Sequence, residues 1–243
     1  LQDGGLVKGE KFKNHKYVGD PINAVRIFNE KEVDELAFVD ISVGINCDEP
    51  DYELIGDMAS EAFMPIAYGG GIRRVDQVEK LFRLGVEKVI INSEFHLNPE
   101  LVTKCSQIAG AQSVVVAIDV KKSLFGKYEV YTKNGTCKTG TCPIEYARKA
   151  QQYGAGEIIL TSIDREGSAQ GLDLDLIQKI TSVVEIPVIV QGGVGSLEHI
   201  KDAVKTAGAS AVAAGTYFTF HGKHKAVLLT YPAYHELEYL FLD

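Results

Sequence analysis

The stretch PIAYGGGIRRVDQVEKLFRLGVEKVIINSEF, from Pro65, and the stretch PVIVQGGVGSLEHIKDAVKTAGASAVAAGTYF, from Pro187, share one pattern. Each reads as an apolar run, a glycine pair, an amphipathic run of helical period, a second apolar run and a small polar turn. They lie 122 residues apart in a chain of 243. In register, Pro65 falls on Pro187, Gly70 on Gly192 and Gly71 on Gly193. One inserted residue near Ala207 then brings Gly85 onto Gly208 and Phe95 onto Phe218. Upstream at the same offset, DELAFVDIS meets GEIILTSID, so that Glu35 meets Glu157, and DPINAVRIF meets CPIEYARKA, with Pro21 on Pro143. Register kept over successive elements is hard to obtain by chance. It restricts the chain to folds that can be assembled from two copies of one half.

Each half alternates short apolar runs with longer amphipathic ones. Strands are expected at 36–41, 65–68, 88–91, 114–118, 157–161, 187–190 and 210–214, and helices at 21–31, 51–62, 75–84, 99–109, 143–153, 174–184 and 197–206. Such runs suit a parallel sheet covered by helices. The chain opens on Leu1 and not on Met, and an eighth strand is expected just before Leu1, in a short N-terminal piece. Eight βα units in about 250 residues describe a (β/α)8 TIM barrel, here with an internal two-fold half-barrel repeat. A doubly wound open sheet is the alternative, but it seldom duplicates itself so evenly. The expected organisation is a single domain over 1–243, with half-barrels at about 1–120 and 121–243.

Bulk properties narrow the partners. With 45% apolar and 24% charged residues, the chain is expected to be folded rather than disordered. A net charge of -8 argues against nucleic acid as a main partner. No apolar run approaches the roughly 18 residues that span a bilayer, and no leader pattern opens the chain, so no membrane and a cytoplasmic location are expected. The cysteines are Cys47, Cys105, Cys137 and Cys142; the last two form a C-x4-C pair without a second pair nearby. Free thiols are expected there, with no metal site and no cofactor.

In such barrels the functional loops lie at the carboxyl ends of the strands. Gly192 and Gly193 follow one expected strand, with Ala214 and Gly215 after the next; Gly70 and Gly71, then Asn92 and Ser93, occupy the corresponding places in the first half. Glycine turns let backbone N–H groups approach an oxyanion, so two facing phosphate sites are expected, one for each end of a long substrate. Asp119 ends the run VVVAID, where partial burial raises a carboxyl toward acid–base use. Asp40, which ends LAFVD, is read as a cap for loop N–H groups. Asp164 follows LTSI, and Lys8, Lys121 and Lys122 can supply positive charge. At the other face, Glu35, Lys88 and Glu157 each open a strand. The segment KKSLFGKYEVYTKNGTCKTG is expected to form a hairpin turned at Asn134-Gly135.

The segments DGGLVKG, DPINAVRIFNEKEVDELAFVDIS, PIAYGGGIRRVDQVEKLFRLGVEKVIINS, VVVAIDVKK, GAGEIILTSIDREGSAQGLD and VIVQGGVGSLEHI resemble the cyclase subunit of imidazole glycerol phosphate synthase (HisF). The resemblance covers nearly the whole chain, in order. It implies a two-fold repeated barrel and a HisH-like glutaminase subunit at the amino-terminal face. Ammonia would pass through the barrel to a phosphorylated small-molecule substrate at the other face. It implies a catalytic role for Asp119 and for Lys8, the latter on a mobile first loop. It places Gly71, Asn92, Ser93, Gly167, Gly193, Ala214 and Gly215 on phosphate-binding turns and Asp164 near substrate. It also makes Glu35, Lys88 and Glu157 three of four residues gating the ammonia entrance.

There are departures from the family pattern. A second catalytic aspartate would lie one position before Leu1. Gly5 replaces a longer polar or basic residue, Gly215 replaces a serine, and the tail TFHGKHKAVLLTYP differs from the usual ending. These features resemble a paralogous branch associated with surface polysaccharides, which implies delivery of ammonia to a separate sugar amidotransferase acting on a nucleotide sugar. The alternatives are an authentic cyclase–lyase of histidine synthesis and a non-catalytic subunit that activates a glutaminase.

Overall fold

A computed structural model describes residues 1–46 and 49–242 of the chain; Cys47 lies outside the described residues. The first half begins with a hairpin, β1 (Leu6–Glu10) and β2 (Lys13–Gly19). It continues with α1 (Pro21–Glu30), β3 (Leu36–Val39), α2 (Ile41–Asn46), α3 (Tyr52–Glu61), β4 (Ile66–Gly69), α4 (Val75–Arg83), β5 (Lys88–Ile91), α5 (Ser93–Leu97), α6 (Glu100–Ala109) and β6 (Val114–Lys122). The second half holds β7 (Tyr128–Thr132), β8 (Cys137–Lys138), α7 (Pro143–Gln152), β9 (Glu157–Ser162), α8 (Leu174–Thr181), β10 (Val188–Gln191), α9 (Leu197–Lys201) and β11 (Ala211–Val212). The tail is α10 (Thr216–Thr219), β12 (Phe220–His221), β13 (Ala226–Val227) and α11 (Tyr234–Phe241).

Seven strands form one parallel wall in the order β3-β4-β5-β6-β9-β10-β11, which is sequence order once the β7–β8 excursion is set aside. The fold is the (β/α)8 barrel. Leu1 donates its nitrogen to the Val39 carbonyl at 2.5 Å and accepts from Ile41 N at 3.0 Å. That is the pattern of a parallel ladder beside Asp40, on the side of β3 where the eighth strand is expected. Inside the wall lies a cluster of Ala67, Ile90 and Val115, with Ala117 and Ile159 against it. The larger core lies between wall and helices and includes Phe38, Tyr68, Leu81, Phe95, Ile118, Leu160 and Ile180. None of the described helices is long and apolar enough to cross a membrane.

The repeat is visible in the elements. Helices α1 and α7 have identical bounds when shifted by 122 residues, as do strands β4 and β10; α3 and α8 begin at equivalent positions, as do α4 and α9. Equivalent caps start two of these helices: Asp51 accepts from Leu54 N and Asp173 from Leu176 N. The inserted residue near Ala207 also has a structural counterpart. Where α4 is regular, α9 passes at Lys201 into a π turn over Asp202–Thr206, and Ala207 N bonds to Asp202 O five residues back. A single extra residue in a helix is absorbed as one wide turn.

Other expectations need correction. The strand expected at 36–41 stops at Val39, because the Asp40 carboxylate caps the next helix. Its Oδ1 accepts from Ser42 N, Ser42 Oγ and Val43 N at 2.7–3.2 Å. The helix expected at 174–184 ends at Thr181, before the paired β-branched residues Val183 and Val184. The strand expected at 210–214 shrinks to Ala211–Val212 before the chain turns into α10. The segment after Asp119 is a double excursion rather than one hairpin. Strand β6 runs on to Lys122 and pairs with β7 around a turn closed by Gly126 N on Ser123 O, and β7 then pairs with β8 around Asn134-Gly135.

Candidate functional site

The mouth of the barrel is built where β5, β6, β9 and β10 end. Inward-facing positions alternate along each strand, so Asn92, Asp119, Thr161 and Gln191 converge there. Asn92 Nδ2 donates to Asp119 Oδ2 at 2.9 Å and to Ala117 O at 3.1 Å. Thr161, fully buried, hydrogen-bonds the same carboxylate and accepts from Gln191 Nε2 at 2.8 Å. Burial pushes the Asp119 carboxyl up to about 6, against the opposing effect of the Thr161 and Asn92 hydrogen bonds. A group poised there can take or give a proton near neutral pH.

Beside it lies a small pocket. Gly167, Gly192, Gly193, Ala214 and Gly215 line it together, with Glu166 and Thr216. The Thr216 hydroxyl is buried and has no hydrogen-bond partner among the described residues. Gly193 has a φ of +109°, and a Cβ there would collide with the Gly171 carbonyl; no other residue fits. Lys8, on β1, brings its ammonium to 3.5 Å from Glu166 Oε1 and against Gly215, so closely that a Cβ at Gly215 would overlap it. The serine expected at that place from the family pattern would therefore displace Lys8. At Gly5 a Cβ would meet the Tyr17 ring at 2.8 Å.

The corresponding turn of the first half is differently occupied. Gly70 closes on Asp40, whose carbonyl lies 2.7 Å from the position of a Cβ, and Gly71 follows. Ser93 Oγ donates to Asn92 Oδ1 at 3.2 Å and accepts from Lys133 N at 3.0 Å. Asp164 accepts from Lys122 N at 2.8 Å and so fixes the β6–β7 hairpin. Lys121 donates to the Gly135 carbonyl, and Lys122 lies over the Tyr128 ring at 4.8 Å. Both lysines thus serve the excursion in this conformation.

Two hairpins cross the mouth. The Phe12 ring, at the tip of β1–β2, lies against Gly135, where the Ile163 side chain also approaches. Lys11 N donates to Glu166 O at 2.9 Å, and Asn134 Nδ2 reaches Ile41 O at 3.0 Å. The sequence held only a weak sign of the first hairpin, since its turn residues Lys11 and Phe12 are neither Gly nor Asn although both have positive φ. Thr161, Gln191, Glu166 and Thr216 were also absent from the expected site. The ladder pairs Asp119 with Thr161 and Thr161 with Gln191, a register that marks them only once the strands are aligned.

At the opposite end, Lys88 Nζ binds Glu35 Oε2 at 2.9 Å and both carboxylate oxygens of Glu157 at 2.8 and 3.0 Å. These residues come from alternate strands of the wall, as an inward layer of a closed barrel does. Burial works to lower the Lys88 proton affinity, but hydrogen bonds to Glu157 and Glu35 outweigh it and leave it raised. A hydrogen-bonded charge cluster therefore bridges three strand starts at this end.

A family model described as histidine biosynthesis protein matches residues 1–225. A Pseudomonas aeruginosa protein with the provisional name imidazole glycerol phosphate synthase subunit hisF2 is 50% identical over 238 residues, 98% of this chain and 95% of that protein. A Leptospira interrogans protein provisionally named as the HisF subunit is 48% identical over 242 residues, 99% of this chain and 95% of its own length. A Vibrio vulnificus protein provisionally named as subunit hisF3 is 47% identical over 234 residues, 96% of this chain and 90% of its own.

Proposed function

The chain belongs to the histidine biosynthesis protein family, and we propose that it is the ammonia-accepting synthase subunit of a glutamine amidotransferase complex. A HisH-like glutaminase subunit docks at the amino-terminal face, and ammonia enters past Glu35, Lys88 and Glu157. The observation that carries this reading is one barrel with two different polar ends and an apolar middle. The charge cluster and Asp119 lie at opposite ends of the interior formed by Ala67, Ile90, Val115, Ala117 and Ile159. Neutral ammonia enters such an interior far more readily than ammonium does. At the mouth, a phosphorylated substrate rests on Gly167, Gly192, Gly193, Ala214 and Gly215, with Lys8 as counter-charge and the Thr216 hydroxyl as donor. Gly70, Gly71, Asn92, Ser93 and Asp164 frame its far end. If the chain is itself the cyclase, the ammonia lone pair adds to an electrophilic C=O or C=N carbon of the substrate, whose π pair moves onto its own heteroatom, and Asp119 accepts the proton that the nitrogen then sheds.

As the destination of the ammonia we place amidation of a nucleotide sugar in surface polysaccharide synthesis, through a separate sugar amidotransferase. Gly5 and Gly215 support this as departures from the family pattern, since the Tyr17 ring and the Lys8 ammonium fill the space where longer side chains would stand. The second reading is the cyclase–lyase step of histidine synthesis, favoured by the buried Asp119–Asn92 pair and by the name its relatives carry. Supplying the purified protein with ammonium salt and the histidine-pathway bisphosphate intermediate decides between them. Turnover that disappears in Asp119→Asn establishes the cyclase. No turnover from folded protein favours delivery to another enzyme. A glutaminase partner activated equally by Asp119→Asn and the unaltered chain would leave only an activating subunit.

A further inference from the structure

We propose that Gln191 is a positioning residue for Asp119 and acts through the hydroxyl of Thr161. This rests on the acid–base reading of Asp119, but it concerns which neighbour sets the state of that carboxyl. The three side chains stand in a row on adjoining strands: Asp119 is the ladder partner of Thr161, and Thr161 of Gln191. A threonine hydroxyl has one proton and two lone pairs. Gln191 Nε2 donates to Thr161 Oγ1 at 2.8 Å and so occupies a lone pair. The single proton is thereby directed to the Asp119 carboxylate, and the donated bond strengthens the next one in the chain. Without the amide, the hydroxyl can turn away and the carboxylate loses a donor.

The repeat argues that this row is not scaffold. At the equivalent positions of the first half stand Val39 and Gly69, 122 residues earlier. A Cβ at Gly69 would approach Ile90 Cβ to 2.9 Å, so no side chain fits there. The matching strands β4 and β10 are nevertheless of equal length. A wall of this shape therefore forms without the polar pair, which is present only beside Asp119.

Other groups also face Asp119. Asn92 donates from the end of β5, Lys121 lies on the same strand, Glu166 on the loop after β9, and Tyr146 on α7. Lys8 reaches Glu166 at 3.5 Å. None of these contacts runs through Gln191. A change at Gln191 therefore alters one donor and leaves the surrounding charges in place.

The test is a pH titration of the protonated-carboxyl stretch in difference infrared spectra of the whole chain, with Asp119→Asn identifying the band. Gln191→Leu should raise the midpoint by about one pH unit, the order expected for loss of one donor to a charged acceptor. Thr161→Val should raise it similarly, and adding Gln191→Leu to Thr161→Val should change nothing more. An unmoved midpoint in Gln191→Leu overturns the proposal, and so does a full further shift in the double variant. Gln191→Met, which retains the length of the side chain, gives the same reading should the leucine variant fold poorly. Ammonium-dependent turnover of the same proteins is measured separately. A shifted midpoint without turnover supports the positioning role while removing the catalytic one.

Discussion

Burial raises the proton affinity of Asp119, and the hydrogen bonds from Thr161 and Asn92 restrain it, so that the folded chain releases this proton at about 6, against 3.8 for an ordinary aspartate. Between these two values the folded state keeps a proton that the unfolded chain has lost. Stability from this group is therefore fully present below the lower value and falls as pH rises through the upper one. In urea titrations at pH 4 and pH 8, the unaltered protein should lose up to about 3 kcal/mol relative to Asp119→Asn. At Gly193 the constraint is steric. Phosphate or sulfate should raise Tm by a few degrees through binding to the native state. Gly193→Val, which drives a side chain into the Gly171 carbonyl, should abolish that gain; an unchanged gain would remove the turn from the proposed phosphate site. At this scale Asp119, and Asp40 as a cap, could be read from their place at strand ends. Gln191 could not, because the glycines after it give a stronger local signal.

The excursions on the wall differ in how they are encoded. The β7–β8 turn carries Asn134-Gly135, whose positive φ values of 54° and 72° suit that pair. The β1–β2 turn has Lys11 and Phe12 in the same region of backbone space, where side chains are normally disfavoured. What holds it is tertiary: Phe12 against Gly135, and Lys11 N on Glu166 O. Phe12→Ala should free the hairpin and speed tryptic cleavage at Lys11 and Lys13 several-fold, with α1 to α9 unaffected. Equal cleavage rates would mean that Phe12 does not hold the two hairpins together. The π turn of α9 follows the opposite rule, since the extra residue it absorbs was visible as a gap in the repeat.

Across the whole molecule, the two ends of the barrel are chemically separate and are joined only by its interior. The charge cluster at the amino-terminal end tests this. Lys88→Met leaves Glu35 and Glu157 facing each other and should cost about 1–2 kcal/mol, less than a fully buried pair because water still reaches the site. On the proposed function it should also lower glutamine-supported turnover while sparing turnover on added ammonium. An equal loss in both assays would show that Lys88 matters only for stability. A second anchor between distant parts is Tyr231, whose hydroxyl donates to Asp34 Oδ2 at 2.5 Å and ties the tail to the approach of β3.

The order of strands and helices, the two-fold repeat and the place of Asp119 were determined by the sequence alone, because periodicity and register are properties of residue spacing. Only the tertiary structure decided which second-half turns share one pocket, which lysine enters it, and how Thr161 and Gln191 stand beside Asp119. Those relations depend on ladder register between strands far apart in the chain and on contacts between hairpins. No spacing of residues along one strand records them.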